Sequence, residues 1–185
     1  VRGESPDVRR LAVEALAYNA KPKDNRVFET LLKALADRDP AVRRVAALGI
    51  GRLGHDGSGE ALVNALRHDA EADAFLKDAY VRGIEKLGKP GIEAVVALAQ
   101  SGEAKSRDLA VAIFLGLRTR AGADAIPEML LQPEVTADQR EALIRSYTNY
   151  QADPPVSLDP LADYLAKRPN EPANILLAAV DVFAA

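Results

Sequence analysis

Two histidine–aspartate dipeptides, His55-Asp56 and His68-Asp69, are the first places in this chain where chemistry could reside. An imidazole oriented by a carboxylate can serve as a base or a metal ligand. The apolar periodicity puts His55 at the end of one helix and His68 at the end of the following, antiparallel one. The pairs then lie about one helix length apart, roughly 15 Å for ten residues, too far to act together. Asp56 and Asp69 also suit turns and helix caps, and that is the preferred reading. Gly49-x-Gly51-x-x-Gly54 has the spacing of a dinucleotide-binding turn. That motif follows a strand and opens a helix, whereas here it closes one, so close helix packing and a C-terminal glycine are expected. Gly54-x-x-Gly57-x-Gly59 is not followed by Lys-Ser or Lys-Thr, so it is no phosphate loop. Arg9-Arg10 and Arg43-Arg44 could touch phosphates. The plainer expectation is that one Arg of each pair is held inside the structure and its neighbour is solvated. Tyr80, Phe114, Tyr147, Tyr150 and Phe75 fall at helical spacing and are read as core rather than as a recognition patch. Met129, Leu130 and Leu131, ahead of Gln132-Pro133, read as core and a helix stop. No Ser/His/Asp arrangement and no metal-spaced cluster stands out. Catalytic, cofactor-binding and metal-binding residues are accordingly expected to be absent, and no cofactor is expected.

The totals fit that restraint. The 185 residues, 48% hydrophobic and 28% charged, allow one domain with a sizeable core. Aromatic residues make up only 5%. Ala and Leu supply most of the apolar share, which favours packed helices over sheets. A net charge of −3 argues against a general nucleic-acid or anionic-membrane binder. With no cysteine, disulfides, thiolate nucleophiles and Cys-based zinc sites are excluded. No apolar run approaches the roughly 18 residues of a membrane span, and no signal peptide is visible. The chain starts at Val1 and ends in the uncovered apolar pattern Ile175 to Val180, so a segment of a longer polypeptide is expected.

The elements that position these residues recur. Ser5-Pro6-Asp7-Val8-Arg9-Arg10-Leu11-Ala12 aligns with Asp39-Pro40-Ala41-Val42-Arg43-Arg44-Val45-Ala46 at an offset of 34. The same offset carries Val42, Val45, Gly49, Ile50, Leu53 and Gly54 onto Leu76, Ala79, Gly83, Ile84, Leu87 and Gly88. A step of 33 then maps Leu76, Ala79, Gly83 and Ile84 onto Leu109, Ala112, Gly116 and Leu117. A weaker copy follows in Gln139, Ala142, Ser146 and Tyr147. Apolar residues at i, i+3, i+7 and i+8 mark one helix face. Ser5-Pro6, Asp39-Pro40 and Asp159-Pro160 place a capping oxygen before a proline. Thr136 with Gln139 reads as a capping box, and Gly54 and Gly88 as left-handed stops. Second, shorter helices are expected around Val27 to Ala36, Ala61 to Leu66, Ile92 to Ala99, Ile126 to Leu131 and Leu161 to Leu165. The repeats run approximately 5–37, 38–69, 70–101, 102–133 and 134–169, with a half-repeat at 170–185. Together they form a single domain over 1–185.

The motif Asp37-Arg38-Asp39-Pro40-Ala41-Val42-Arg43-Arg44-Val45-Ala46, followed by Leu53-Gly54, resembles a HEAT repeat of the short, phycobilisome-lyase-like type. The tetratricopeptide and ankyrin signatures are missing. The resemblance implies an all-α, right-handed α-solenoid of about five helical hairpins plus the half-repeat. It also implies a ladder of Asp and Arg along successive first helices. Asp39, Arg9, Arg43 and Lys77 fit that ladder, as does Arg140, whereas the fourth repeat offers Ala110. Second helices line the concave side in this family, which makes Glu93, Glu128 and Asp163 candidates for an interaction surface toward a basic or neutral partner.

Composition shifts along the stack. Every glycine lies at or before Gly122, and seven of eleven prolines lie at or after Pro127. Residues 1–120 carry 20 basic and 17 acidic side chains, a balance of +3, and residues 121–185 carry 4 and 10, a balance of −6. Gln151 to Ser157 reads as a stiffer connection inside the fifth repeat. The expected function is a non-catalytic interaction or scaffolding module. Its partner would be another protein or flanking domains of the same polypeptide, with no nucleic acid and no membrane. The competing expectation is a helical-repeat enzyme, a bilin lyase or a DNA-glycosylase-like protein. Asp153-Pro154-Pro155-Val156-Ser157-Leu158-Asp159-Pro160-Leu161 is similar to the middle segment of large exported bacterial proteins that join a dehydrogenase-like propeller to a haem-binding domain. That likeness implies a periplasmic or exported location, and a cytoplasmic one applies otherwise.

Overall fold

The computed structural model describes residues 5–69, 72–150 and 155–185. Among these residues the regular structure is eleven α-helices and one short 3-10 turn, with no strand. The fold class is all-α, built from helical hairpins. The chain divides into two compact units, Val1–Ala94 and Val95–Ala185.

The first unit holds α1 (Pro6–Asn19), α2 (Asn25–Leu35), α3 (Pro40–Leu53), α4 (Ser58–His68) and α5 (Ala74–Leu87). The division falls within α6 (Lys89–Ala99). Helix starts follow the capping chemistry. Ser5 Oγ accepts from the Val8 N–H at 3.4 Å, Asp39 Oδ1 from Ala41 at 2.9 Å and Asp73 Oδ1 from Leu76 at 2.8 Å. Asp24 caps α2, accepting from Arg26 and Val27. This polar start lies upstream of the apolar pattern, so α2 begins earlier than Val27. Gly54 ends α3 in the left-handed conformation at φ 63°, and Gly88 ends α5, also at φ 63°.

Helices α1, α3 and α5 lie side by side, with α2 and α4 packed as a second layer. Leu31, Ile50, Leu62 and Ile84 are fully buried between the layers. Each such side chain contributes about 1.5–3 kcal/mol of transfer free energy. The glycine spacing serves helix contact. A Cβ on Gly51 would lie 2.4 Å from the Gly83 carbonyl oxygen, so α3 and α5 touch backbone to backbone. No strand precedes this run among the described residues, and it closes a helix instead of opening one.

The second unit holds α7 (Ala104–Gly116), α8 (Arg120–Leu130), α9 (Ala137–Arg145), the 3-10 turn Ser146–Asn149, α10 (Asp159–Lys167) and α11 (Ala173–Ala184). Helices α7, α9 and α11 form one row, and α8 packs on α7, α9 and α10. Phe114, Ile126, Leu130, Leu143, Leu161 and Ile175 are fully buried. Thr136 and Gln139 form the complete capping box at the head of α9.

Three expectations are corrected. Helix α7 begins 30 residues after α5, not 33. Burial follows Ser106, Ala110, Val111, Ile113 and Phe114, while Ala112 is exposed. Arg107, the fourth residue of α7, therefore occupies the position of Arg9, Arg43, Lys77 and Arg140 in their helices, and Ala110 does not. Phe75 is not core; it sits on the outer side of α5, 72% exposed. Asp159 does not cap α10 but begins it, and its N–H donates to Ser157 Oγ at 3.1 Å. Ser157 Oγ in turn donates to Asp159 Oδ2 at 2.9 Å, and the N-cap residue, Leu158, makes no side-chain cap bond.

The residues 151–154 of the expected stiff connection lie outside the described residues, as do Ala70 and Glu71, where the third repeat is expected to begin. Helix α11 buries Ile175, Ala178, Ala179 and Val182 and leaves Leu177, Val180 and Phe183 exposed.

Candidate functional site

The polar groups of the first unit are organised by arginines at the fourth position of the first helices. Arg9 meets Asp37 in a two-pronged pair: Nε donates to Oδ2 at 2.8 Å and Nη2 to Oδ1 at 2.8 Å. Asp37 Oδ1 also accepts the Asp39 N–H at 2.9 Å. The hydrogen bonds from Arg9 hold the Asp37 carboxyl below the usual carboxylate range, against the opposing effect of burial. Arg43 repeats the arrangement one hairpin on. Its Nε donates to Asp69 Oδ2 at 2.9 Å, and its Nη1 donates to the carbonyls of Asp37 and Arg38 at 3.0 and 3.3 Å. The fully buried Tyr80 donates its hydroxyl to Asp69 Oδ2 at 3.2 Å. Burial, and then the Asp69 charge, push the Tyr80 phenol up to about 12.

Beside this cluster a groove of about 630 Å³ opens between α2 and α4. Leu32 and Leu35 form one wall, Ala61 and Ala65 the other, and Asp37, Arg43, His68 and Asp69 frame one end. The alanines at i and i+4 of α4 make the space, because larger side chains there would fill it.

The second unit carries a related cluster. Tyr164 donates to Glu171 Oε1 at 2.6 Å, and Arg140 Nη1 lies 3.6 Å from Glu171 Oε2. Burial, then the Glu171 hydrogen bond, raise the Tyr164 phenol above its ordinary value.

The residues singled out in the sequence are placed as follows. Asp39 caps α3, and Lys77 lies exposed on α5. Glu93 is exposed in the first unit, 3.6 Å from Lys89. Glu128 on α8 and Asp163 on α10 are exposed in the second unit. His55 stacks on Phe28 with ring centroids 4.0 Å apart, and its Nε2 lies 2.9 Å from Asn25 Oδ1. Its Nδ1 accepts the Gly57 N–H at 3.1 Å, which leaves the proton for Nε2. Asp56 pairs with Lys23 at 2.6 Å, and His68 Nδ1 meets the Asn64 carbonyl at 2.7 Å. Each histidine is thus engaged locally and the two dipeptides are not brought together as one site. Among the described residues no group of three His, Asp or Glu side chains is placed to hold a metal ion, and no helix is long and apolar enough to cross a membrane. Tyr80, Phe114, Tyr147 and Tyr150 are buried.

The sequence did not announce Asp37, Asp69, Tyr80 or Glu171 as a set. The one local signal was the basic residue four positions into each first helix.

The residues matched by a known family cover the first unit's hairpins. A family model described as HEAT repeats matches residues 1–85. A solved crystal structure of an engineered protein from the Northeast Structural Genomics Consortium is similar at 16% identity, covering 99% of this chain and 92% of that one, with a TM-score of 0.40. No curated protein matches the chain.

Proposed function

We propose that this chain is a non-catalytic protein-interaction and scaffolding module of a larger multidomain protein. The observation that carries the reading is the groove between α2 and α4, a space of about 630 Å³ with an aliphatic floor and a polar rim. HEAT repeats, present over residues 1–85, generally serve protein interaction. A protein partner is favoured over nucleic acid because Arg9 and Arg43 are engaged internally, with side chains only 7% and 11% exposed. They are not free to neutralise phosphates. The exposed acids Glu93, Glu128 and Asp163 are proposed as further contact points for a basic or neutral partner.

A photo-crosslinking amino acid at Ala65 tests the reading in the native host. A discrete protein adduct at Ala65, absent when the probe stands at exposed Ala162 on α10, is the expected result. Equal labelling from both positions would remove the groove as the docking surface. Replacement of Glu93, Glu128 and Asp163 by Lys should weaken capture of the identified partner, and unchanged affinity would remove those three residues from the proposal.

A further inference from the structure

Apolar exposure is concentrated on two helices, one at the outer end of each row. Of the ten large apolar side chains that the described residues leave exposed, seven lie on α1 or α11. In the row α1, α3, α5, one face of each helix receives its predecessor. Val42 of α3 and Leu76 of α5 stand there, each 1% exposed, and a Cβ on Gly49 of α3 would lie 2.8 Å from the Ala17 Cβ of α1. The offset of 34 gives α1 the same face in Val8, Leu11, Ala12 and Ala15. On α1 that face is open: all four are exposed, Val8 by 47%. In the row α7, α9, α11, Asn174 and Asp181 of α11 turn toward α9, bonding Glu141 and Arg145 at 2.7 Å each. Leu176, Val180 and Phe183, at i, i+4 and i+7, make an uncharged stripe on another side, with Val180 61% exposed. Counted from the helix start, Val180 and Ala184 are eighth and twelfth, the places of Ala47 and Gly51, through which α3 meets Gly83 of α5. Helix α11 thus leaves open the face that is offered to a successor, and α1 the face that receives a predecessor.

We infer that the chain associates head to tail with a second copy of itself, the open face of α11 in one copy packing on the open face of α1 in the other. Helices at the outer end of a repeat row ordinarily turn a polar face to water, and these two do not. The contact continues the helix-on-helix packing of α1 on α3 and of α9 on α11. Charge favours this pairing over like with like. Helix α1 lies in residues 1–120, with a balance of +3, and α11 in residues 121–185, with a balance of −6. Joining two α11 faces would bring two acidic segments together. One helix pair is a small interface, so the association depends on concentration. It stands apart from the α2–α4 groove and does not rest on it.

The test follows the mass of the whole chain by sedimentation equilibrium as its concentration rises. Leu11→Lys sets a charge in the α1 face and Val180→Lys sets one in the α11 face. Both positions are exposed and lysine is a good helix former, so folding is kept, as thermal transitions verify. The parent should gain mass with concentration. Each variant alone should associate at least about tenfold more weakly, since an unpaired charge is costly to bury. Mixed in equal amounts, the two variants should form a pair of twice the chain mass and grow no further, because the mixture holds one intact α1 face and one intact α11 face. Phe75→Lys removes an exposed aromatic outside both faces and should stay within about twofold of the parent. A parent that keeps one chain mass at every concentration would overturn the inference. Full association of Val180→Lys alone would overturn it by showing α1 on α1, and of Leu11→Lys alone by showing α11 on α11. A mixture that forms no pair, or a loss in Phe75→Lys equal to that of the other two, would overturn it as well.

Discussion

Gly51 and Gly83 fix the distance between α3 and α5, because a methyl group on the former would stand 2.4 Å from the carbonyl oxygen of the latter. The obstacle is backbone, so no rotamer change can relieve it. Gly51→Ala is expected to force the helices apart and lower stability by about 1–3 kcal/mol, even though Ala is the better helix former by about 1 kcal/mol. Gly54→Ala is the comparison. Nothing among the described residues lies within 4 Å of its added methyl, and its cost comes from φ 63° alone, about 1–2 kcal/mol. Only the first variant should also change the α3–α5 spacing, visible as shifted amide signals across both helices. A Gly51→Ala melting temperature at or above that of the parent would refute the close-contact role.

Arg43 and Asp69 form a pair whose side chains are each 11% exposed. Arg43→Met alone leaves Asp69 buried against the Tyr80 hydroxyl without its cation, and a loss of about 3–5 kcal/mol is expected. Arg43→Met together with Asp69→Leu should cost less than either single change. Denaturant titrations of all four proteins measure the coupling, and strict additivity would show that the two residues do not act as a unit.

Acid sensitivity follows from Asp37. Its carboxyl is lowered in the folded state, so the stabilising charge is present above roughly pH 4 and is lost as pH falls through the folded value. Unfolding midpoints should therefore drop on acidification below roughly pH 4. Asp37→Asn should show a shallower drop in that window, from a lower starting stability at neutral pH. Parallel pH curves for the two proteins would count against this account.

The alkaline side belongs in part to Tyr80. A phenol raised to about 12 when folded contributes stability in full below roughly pH 10 and loses it as pH climbs toward 12. Tyr80→Phe removes that titration, so its stability should fall less steeply over this range. The variant also removes the hydrogen bond to Asp69, worth about 1 kcal/mol at neutral pH. Spectrophotometric titration of tyrosinate absorbance, comparing the two proteins, checks the assignment directly.

Tyr147 presents the reverse case. It is 5% exposed, and its hydroxyl is buried with no hydrogen-bond partner among the described residues. Removing an unsatisfied buried hydroxyl relieves a penalty of about 1–3 kcal/mol, so Tyr147→Phe is expected to raise the melting temperature. A drop would mean that the hydroxyl has a stabilising role.

Much of the helical scheme could be read directly. Ser5-Pro6, Asp39-Pro40 and Thr136 with Gln139 act through bonds two or three residues long, and such short-range chemistry is visible in sequence. Gly54 likewise needs only its own φ. The register of α7 departs from the spacing of Leu109, Ala112, Gly116 and Leu117, which mimics an apolar face, while a serine, Ser106, holds a buried position. A small hydroxyl residue hides a core position from any hydropathy pattern. Phe75 misleads in the opposite sense, since an aromatic residue at helical spacing lies outside. The groove cluster was illegible for a different reason. Arg9 and Asp37 are 28 residues apart, and Arg43 and Asp69 are 26 apart. Only the return of the second helix brings them together.

That return has an implication for how such a chain changes length over generations. Arg9 finds Asp37, and Arg43 finds Asp69, without leaving its own hairpin. A duplication or loss of one whole hairpin in the gene would copy or remove arginine and carboxylate together, orphaning neither. Stacks whose stability is a sum over neighbours tolerate such edits. The closed pair makes each of these two hairpins a heritable building block, its arginine and carboxylate matched before it meets the next.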